Sequence, residues 1–224
     1  MSHLSSLMTS LFGLFIVISL LLNFVMVGSR WIKNYIIAFT AECWIIGFLS
    51  FGIAFFSHIT DLYIVGFLTI VFRGVVFPIM LMKMVRKLNI QRELHMVIPA
   101  STGIFISVLL VIFSYLAGTH LMMTMNVNST LLILALVSMF SIKLLGFLLL
   151  SIRDQAISKI LALLVLENGI FLGSLFLVPE MPIFVELVIL FDLLIVVASF
   201  GVLVNYINTH IGSTSTKELT QLVG

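Results

Sequence analysis

The sequence predicts an all-α, polytopic membrane protein of about seven transmembrane helices, with its N-terminus outside and its C-terminus in the cytoplasm. Of its 224 residues, 62% are hydrophobic and only 9% are charged, and the mean hydropathy is +1.31. A soluble core of this size does not need so much apolar surface, whereas a spanning helix takes about 20 apolar residues. The apolar runs are continuous rather than alternating, which favours helices over strands.

Seven runs of suitable length follow one another along the chain. They cover approximately Ser6–Val27, Tyr35–Phe56, Leu62–Met82, Met96–Ala117, Ser129–Leu150, Ala156–Val178 and Ile183–Ile207. The first run has no basic region before it and no small-residue cleavage site after it, so we interpret it as a helix and not as a signal peptide. We predict one integral membrane domain over residues 1–224, with four helices in 1–128, three in 129–208 and a polar tail in 209–224.

Lysine and arginine fall almost wholly in alternate connections between these runs. They are Arg30 and Lys33 after the first run, Lys83, Arg86, Lys87 and Arg92 after the third, Arg153 and Lys159 after the fifth, and Lys217 in the tail. The N-terminus and the loops around Asp61, His120 and Glu180 contain neither residue type. Because cytoplasmic loops carry the excess of Lys and Arg, this distribution places the tail in the cytoplasm.

Five ionisable residues lie well inside the predicted spans: Glu42, Arg73, Lys143, Glu167 and Asp192. Each costs about 2.5–3.5 kcal/mol at a helix centre on the insertion scale. We therefore expect these residues to face the bundle or a partner subunit, with acids near bases, and such residues often mark proton or ion routes. The alternative is a set of buried ion pairs that only fix helix register.

Three further polar residues belong to the same candidate route. Helical spacing puts Ser174 on the stripe of Glu167 and Ser199 on the stripe of Asp192, where hydroxyls can carry a hydrogen-bonded water chain or simply pack. Glu186 lies six residues before Asp192 and close to the outer interface, where it is either an entry or exit group or merely solvated.

Two features of the spans predict local packing. Pro78 removes the hydrogen bond to the carbonyl of Gly74 and is expected to kink the third helix beside Arg73, as in the broken helices of transporters or as a packing feature only. Gly169 and Gly173 form a GxxxG pair, which lets another helix approach closely.

No motif for a cofactor, a metal or catalysis is present. The five histidines fall outside the predicted spans, so a haem-binding bundle would lack its axial ligands. The single cysteine, Cys43, excludes an internal disulfide and a cysteine metal cluster. There is no P-loop, dinucleotide fingerprint or zinc helix. We predict no cofactor, no metal, no nucleic-acid partner and no enzymatic activity of the chain itself.

An ordered set of polar residues runs through the second half of the chain. It comprises Lys143-Leu-Leu-Gly146, the basic connection at Arg153 and Lys159, the stretch Leu166-Glu167-Asn168-Gly169, then Val185-Glu186 and Asp192. Together with Arg73 five residues before Pro78, these residues resemble component E of hydrogenase-4, over essentially the full chain. The last three helices of that family are similar to the small three-helix subunit K of respiratory complex I.

The resemblance implies a role for two of the acids. Glu167 occupies the position of the first intramembrane glutamate of the K-like subunits and Asp192 that of the second, where this chain has the shorter side chain. In those subunits the two carboxylates form part of a hydrated charged axis through the membrane arm. The resemblance also implies antiporter-like membrane subunits as partners, with a [NiFe]-hydrogenase or quinone-linked module, in the cytoplasmic (inner) membrane of a prokaryote.

The leading hypothesis is a non-catalytic membrane subunit of a complex-I-like, redox-driven or antiporter-type ion-pumping assembly. Glu42, Glu167 and Asp192 would be the protonatable groups of a proton or sodium path, and Arg73 and Lys143 would tune them. This hypothesis predicts that Glu167→Gln lowers pumping while the complex still assembles. The alternative is a scaffold subunit of the same kind of complex. An independent secondary transporter is a third hypothesis, although no clear inverted repeat is visible.

Overall fold

The computed structural model of the chain describes residues 6–87, 97–126 and 129–177, together with residues 198, 201 and 202. The regular elements of these ranges are all helices: α1 (Ser6–Gly28), α2 (Ile32–Ser57), α3 (residues 61–87), α4 (Ala100–Thr124), α5 (Thr130–Ile152) and α6 (Ala156–Leu177). All six are long and apolar enough to cross a bilayer, as expected of an integral membrane protein. The all-helical prediction is confirmed for this part of the chain. Apart from residues 198, 201 and 202, the predicted seventh span, Ile183–Ile207, lies outside the described residues.

The fourth helix differs most from its predicted bounds, Met96–Ala117. Pro99 takes an extended conformation, with φ −58° and ψ 147°, and the helix begins only at the next residue. A proline disfavours helical geometry in the residue before it, which explains the late start. At the other end the helix continues to Thr124, whose hydroxyl donates to the carbonyl of His120 at 2.9 Å. His120 was predicted to lie in a loop, and that prediction is wrong because Leu121, Met122 and Met123, which favour helix, continue the helix past it.

The third span, α3, winds in three ways along its length. It is α-helical over Asp61–Leu68, π-helical over Thr69–Val76 and α-helical again over Phe77–Lys87. Pro78 is the second residue after the wide segment. Since a proline ring crowds the preceding turn and offers no N–H, a wider turn before it relieves the crowding. The predicted disturbance at Pro78 therefore takes the form of a π-helical segment.

The helices α5 and α6 pack closely through glycine. A Cβ atom on Gly169 would lie 3.1 Å from Cγ2 of Ile142 and 3.1 Å from the backbone nitrogen of Lys143. A Cβ atom on Gly146, in turn, would meet the Leu166 side chain at 2.7 Å. The prediction that the GxxxG pair admits a close neighbour is confirmed, and that neighbour is α5.

The helix α4 lies at the edge of the described bundle. Only 17% of the residues in its apolar 18-residue stretch are buried, against 72% in the corresponding stretch of α6. Its buried positions are small, at Gly103, Ser107, Ser114 and Gly118, with Met122 as the one large residue. The outward residues of α4 are large and apolar, as they are in a helix that faces lipid or another subunit.

Three connections meet at one end of the bundle. The guanidinium of Arg153, after α5, donates to the carbonyls of Met26 and Ser29 at the end of α1, at 2.7 and 2.8 Å. The backbone N–H of Val97, before α4, donates to the carbonyl of Ile152 at 3.2 Å. We call this end the basic end, since it carries Arg30, Lys33, Lys83, Arg86, Arg153 and Lys159.

Candidate functional site

Glu42 is the centre of a polar cluster inside the bundle. It lies ten residues into α2, which places it about 15 Å from the start of that helix, near the middle of a membrane span. Its side chain is fully buried, at 0% exposure. A carboxyl group at such a position needs hydrogen-bond partners supplied by the protein, because no lipid can supply them.

Helix α1 supplies two of these partners. Ser19 donates its hydroxyl to Oε1 of Glu42 at 3.1 Å, and Asn23 donates its Nδ2 to the same oxygen at 2.7 Å. The two residues are four positions apart, so they lie on one face of α1. Asn23 Nδ2 also donates to the backbone carbonyl of Ser19 at 3.0 Å, which holds the amide in place.

Asn168 on α6 connects Glu42 to a positive charge. Its Nδ2 donates to Oε2 of Glu42 at 3.2 Å, and its Oδ1 accepts from Nη1 of Arg73 at 3.1 Å. An ionised carboxylate only accepts hydrogen bonds and a guanidinium only donates them, so the two neighbours fix the orientation of the amide. Glu42, Asn168 and Arg73 thus form a row in which a neutral amide lies between a carboxyl group and a guanidinium.

Arg73 is held in the π-helical part of α3. Its side chain is 2% exposed, and its Cζ lies 5.4 Å from the centre of the Phe171 ring on α6. The carbonyl of Gly74, predicted to lose its helical partner to Pro78, accepts a hydrogen bond from Nε1 of Trp44 at 3.2 Å. The indole therefore joins α2 to the wide turn that carries Arg73.

Cys43 lies against the same cluster. Its sulfur is fully buried and accepts from Nδ2 of Asn168 at 3.3 Å. A buried thiol of this kind behaves as a small apolar side chain, so it adds packing and no charge to the cluster. Within the described residues, no three His, Cys, Asp or Glu side chains are grouped so that they could hold a metal ion.

The predicted site residues are divided by the structure. Glu42 and Arg73 meet in the cluster through Asn168. Glu167 and Lys143 are half-buried and lie outside it. Glu167 precedes Asn168 directly, and one residue along a helix turns the side chain by about 100°, away from the Glu42 side of α6.

Ser174 shares the stripe of Glu167, as predicted, and its hydroxyl donates to the carbonyl of Phe171 in the same helix at 2.9 Å. That bond satisfies the hydroxyl locally. Asp192, Glu186 and Ser199 lie outside the described residues, so their roles stay predictions.

Three residues of the cluster were missed by sequence reasoning: Ser19, Asn23 and Asn168. A signal for the first two was present, since Ser19 and Asn23 are four residues apart in an otherwise apolar span. Asn168 belongs to the Leu-Glu-Asn-Gly stretch, of which only the charged Glu167 was assigned a role. A neutral amide costs less free energy in a membrane than a charge does, so it stands out less in an apolar sequence, although amides hydrogen-bond between helices.

Known proteins do not place this chain in a family. No protein-family model matches it, and no curated protein or solved structure matches it either. The resemblance to component E of hydrogenase-4 stays a prediction that rests on the residues named above.

Proposed function

We propose that the protein is a non-catalytic membrane subunit of an ion-pumping assembly of the complex-I-like kind, in which Glu42 exchanges a proton. The observation that carries this proposal is the row formed by Glu42, Asn168 and Arg73, buried at mid-depth between α1, α2, α3 and α6. Intramembrane acids that face the interior of a bundle are expensive, and they are commonly retained for proton or ion relays.

The surroundings of Glu42 suit a proton better than a metal cation. Ser19, Asn23 and Asn168 all direct donors at the carboxylate, and Asn168 joins it to the Arg73 guanidinium, whose positive charge disfavours a second cation nearby. The cluster offers two opposing influences on the carboxyl group. Burial favours its neutral form, whereas the donors and the nearby guanidinium favour its charged form. A small movement of the donors or of the guanidinium therefore shifts the balance between the two forms, as proton exchange requires.

The wider setting is proposed from the sequence. The resemblance to component E of hydrogenase-4 supports antiporter-like subunits as partners, with a hydrogenase or quinone-linked module as the source of energy. The distribution of Lys and Arg supports a cytoplasmic location for the basic end, in the inner membrane of a prokaryote. Glu167, Lys143 and Asp192 would belong to a second part of the route.

The proposal is tested by proton pumping in inverted membrane vesicles that carry the whole assembly. Hydrogen, formate and NADH are supplied in turn, and acidification is followed with a pH-sensitive dye against vesicles that lack the chain. Glu42→Gln removes the titratable group, and we expect it to lower the chain-dependent acidification about tenfold or more, since no other group at that position can carry the proton. Glu167→Gln, which the sequence predicts to lower pumping as well, is measured in the same vesicles.

Two matched variants separate proton exchange from packing. Glu42→Asp keeps a carboxyl group, so it should retain a measurable part of the acidification. Ser50→Ala removes a buried hydroxyl of the same helix that donates to the carbonyl of Leu62 at 2.8 Å, and it should pump normally. Full acidification by Glu42→Gln at the normal protein level would refute the proposal.

A scaffold role is the second candidate, and one observation favours it. The hydrogen bonds of the cluster join four different helices, so the cluster also fixes their rotation and depth. If this is its only role, Glu42→Gln should reduce the amount of assembled complex in proportion to the loss of acidification. Blue-native electrophoresis of the same membranes measures that amount.

A further inference from the structure

An open groove lies between α2 and α3 on the side that leads to the basic end. Its volume is about 540 Å³, in the range of pockets that hold small ligands. Its walls are mainly apolar, with Ile36, Ile37 and Trp44 on α2 and Pro78, Ile79 and Met82 on α3. Ile79 is 50% exposed, so the groove opens outward from the bundle.

The groove lies to one side of the contacts that hold the two helices together. One contact is at Gly47, just past the middle of α2, since a Cβ atom on Gly66 would lie 3.1 Å from the carbonyl oxygen of Gly47. The hydrogen bond from Trp44 to the Gly74 carbonyl then joins them at the wide turn. Between Trp44 and the basic end neither helix contains a glycine, and the groove occupies the space between their side chains.

The charge of the groove is concentrated at one end. Lys83 and Arg86 line it there, three residues apart on one face of α3, and both are exposed. Lys33 is also exposed and lies one turn before Ile37 on α2, so a third cation stands near the same mouth. None of the described residues that line the groove is acidic.

We infer that this groove binds one anionic phospholipid. The phosphate lies between Lys83 and Arg86 at the basic end, and an acyl chain runs along the apolar walls toward Trp44. Basic pockets between transmembrane helices that open at an anionic leaflet bind lipid headgroups in this way, through charge at the mouth and apolar contact below it. The inference is independent of the proton path, since no residue of the Glu42 cluster lines the groove.

Trp44 supplies the measurement, because it lines the groove and is 38% exposed. The chain has two tryptophans, so Trp31→Phe leaves Trp44 as the single fluorophore. The full chain with this substitution is reconstituted into phosphatidylcholine vesicles that contain a fixed fraction of phosphatidylglycerol. Bromine is placed on the acyl chains of one lipid or of the other, and quenching of Trp44 reports which lipid occupies the groove.

We expect brominated phosphatidylglycerol to quench Trp44 more strongly than brominated phosphatidylcholine at the same fraction. Arg86→Gln should lower this preference about fivefold, the loss expected for one cation near an anionic surface. Arg86→Lys keeps the charge and should keep the preference, which shows that the positive charge at this position is what the lipid recognises. Arg30→Gln removes an exposed cation of the same end outside the groove and should leave the preference unchanged.

Three results would overturn the inference. Equal quenching by the two lipids means that Lys83 and Arg86 only extend toward water while ordinary lipid fills the groove. Quenching by neither lipid means that protein covers the groove. An equal loss of preference in Arg30→Gln and Arg86→Gln means that the whole basic surface, and no particular site, attracts the anionic lipid.

Discussion

The amide of Asn168 is the smallest unit on which the candidate site depends. It donates to a carboxylate and accepts from a guanidinium, and both of these charged groups are buried. Hydrogen bonds that involve a charged group are stronger than neutral ones, and a buried charged group that loses its partner is costly. A single neutral side chain therefore supplies hydrogen-bond partners to a buried carboxyl group and to a buried guanidinium at the same depth.

Replacing Asn168 by leucine should be much more harmful than its modest change in volume suggests. Asn168→Leu leaves one hydrogen bond missing at Glu42 and one at Arg73, and we expect the free energy of unfolding to fall by about 2–4 kcal/mol. Unfolding of the purified chain in mixed micelles, titrated with sodium dodecyl sulfate and followed by tryptophan fluorescence, measures this change.

Ser141→Ala is the control for a lost hydrogen bond of ordinary kind. The Ser141 hydroxyl is buried and donates to the carbonyl of Val137 within α5, at 2.8 Å. Its removal should cost about 0.6 kcal/mol or less, as is usual for neutral hydrogen bonds in membrane bundles. If the two variants lose the same amount, the amide does not bridge the charges as described.

The two charged members of the cluster are visible in the sequence, whereas the contacts that connect them are not. Glu42 and Arg73 could be picked out from the sequence because a charge in an apolar run is visible locally. Their connection could not, since it depends on how α2, α3 and α6 are rotated about their axes. That rotation is set by packing between segments more than 90 residues apart, including the π-helical turn at Arg73.

Among the helices, α5 and α6 form a pair with little tolerance for added volume at Gly169. Gly169 faces the backbone of Lys143 and the branched side chain of Ile142, neither of which can move far. By contrast, a Cβ atom on Gly13 of α1 would meet only Cδ2 of Leu134, at an ordinary 3.5 Å. The same substitution at the two glycines therefore tests packing with the change in helix propensity held constant.

Gly169→Ala should lower the free energy of unfolding by about 1–3 kcal/mol, because the added methyl group forces α5 and α6 apart. Gly13→Ala should be neutral or stabilising by about 0.5–1 kcal/mol, the usual gain for alanine over glycine in a helix. Both values come from the same detergent titration. A stable Gly169→Ala protein would show that the two helices have room to separate.

For the molecule as a whole, hydropathy predicted the six described spans well and their ends less well. Insertion of a span depends on the sum of local transfer free energies, which a sequence states directly. The ends depend on local residues, as α4 shows: Pro99 delays its start, and the helix-favouring residues Leu121, Met122 and Met123 carry it past the predicted end. The seventh span and the orientation remain predictions.

The orientation can be measured with cysteines at opposite ends. In a Cys43→Ala background, Met125→Cys places an exposed thiol at the end of α4 and Arg30→Cys places one at the basic end. We expect a membrane-impermeant maleimide to label Met125→Cys in intact cells and Arg30→Cys only after permeabilisation, because Lys and Arg mark the cytoplasmic side. The reverse pattern would invert the topology.

The anchoring of α1 by Arg153 has a consequence for how the protein is made. The carbonyls that end α1 receive their donor from a residue more than 120 positions later in the chain. Until that residue leaves the ribosome, those carbonyls have to stay hydrated at the membrane surface, since an unsatisfied backbone group is costly in hydrocarbon. The first helix can enter the bilayer early during synthesis, but it reaches its position in the folded bundle only after the fifth helix has been inserted.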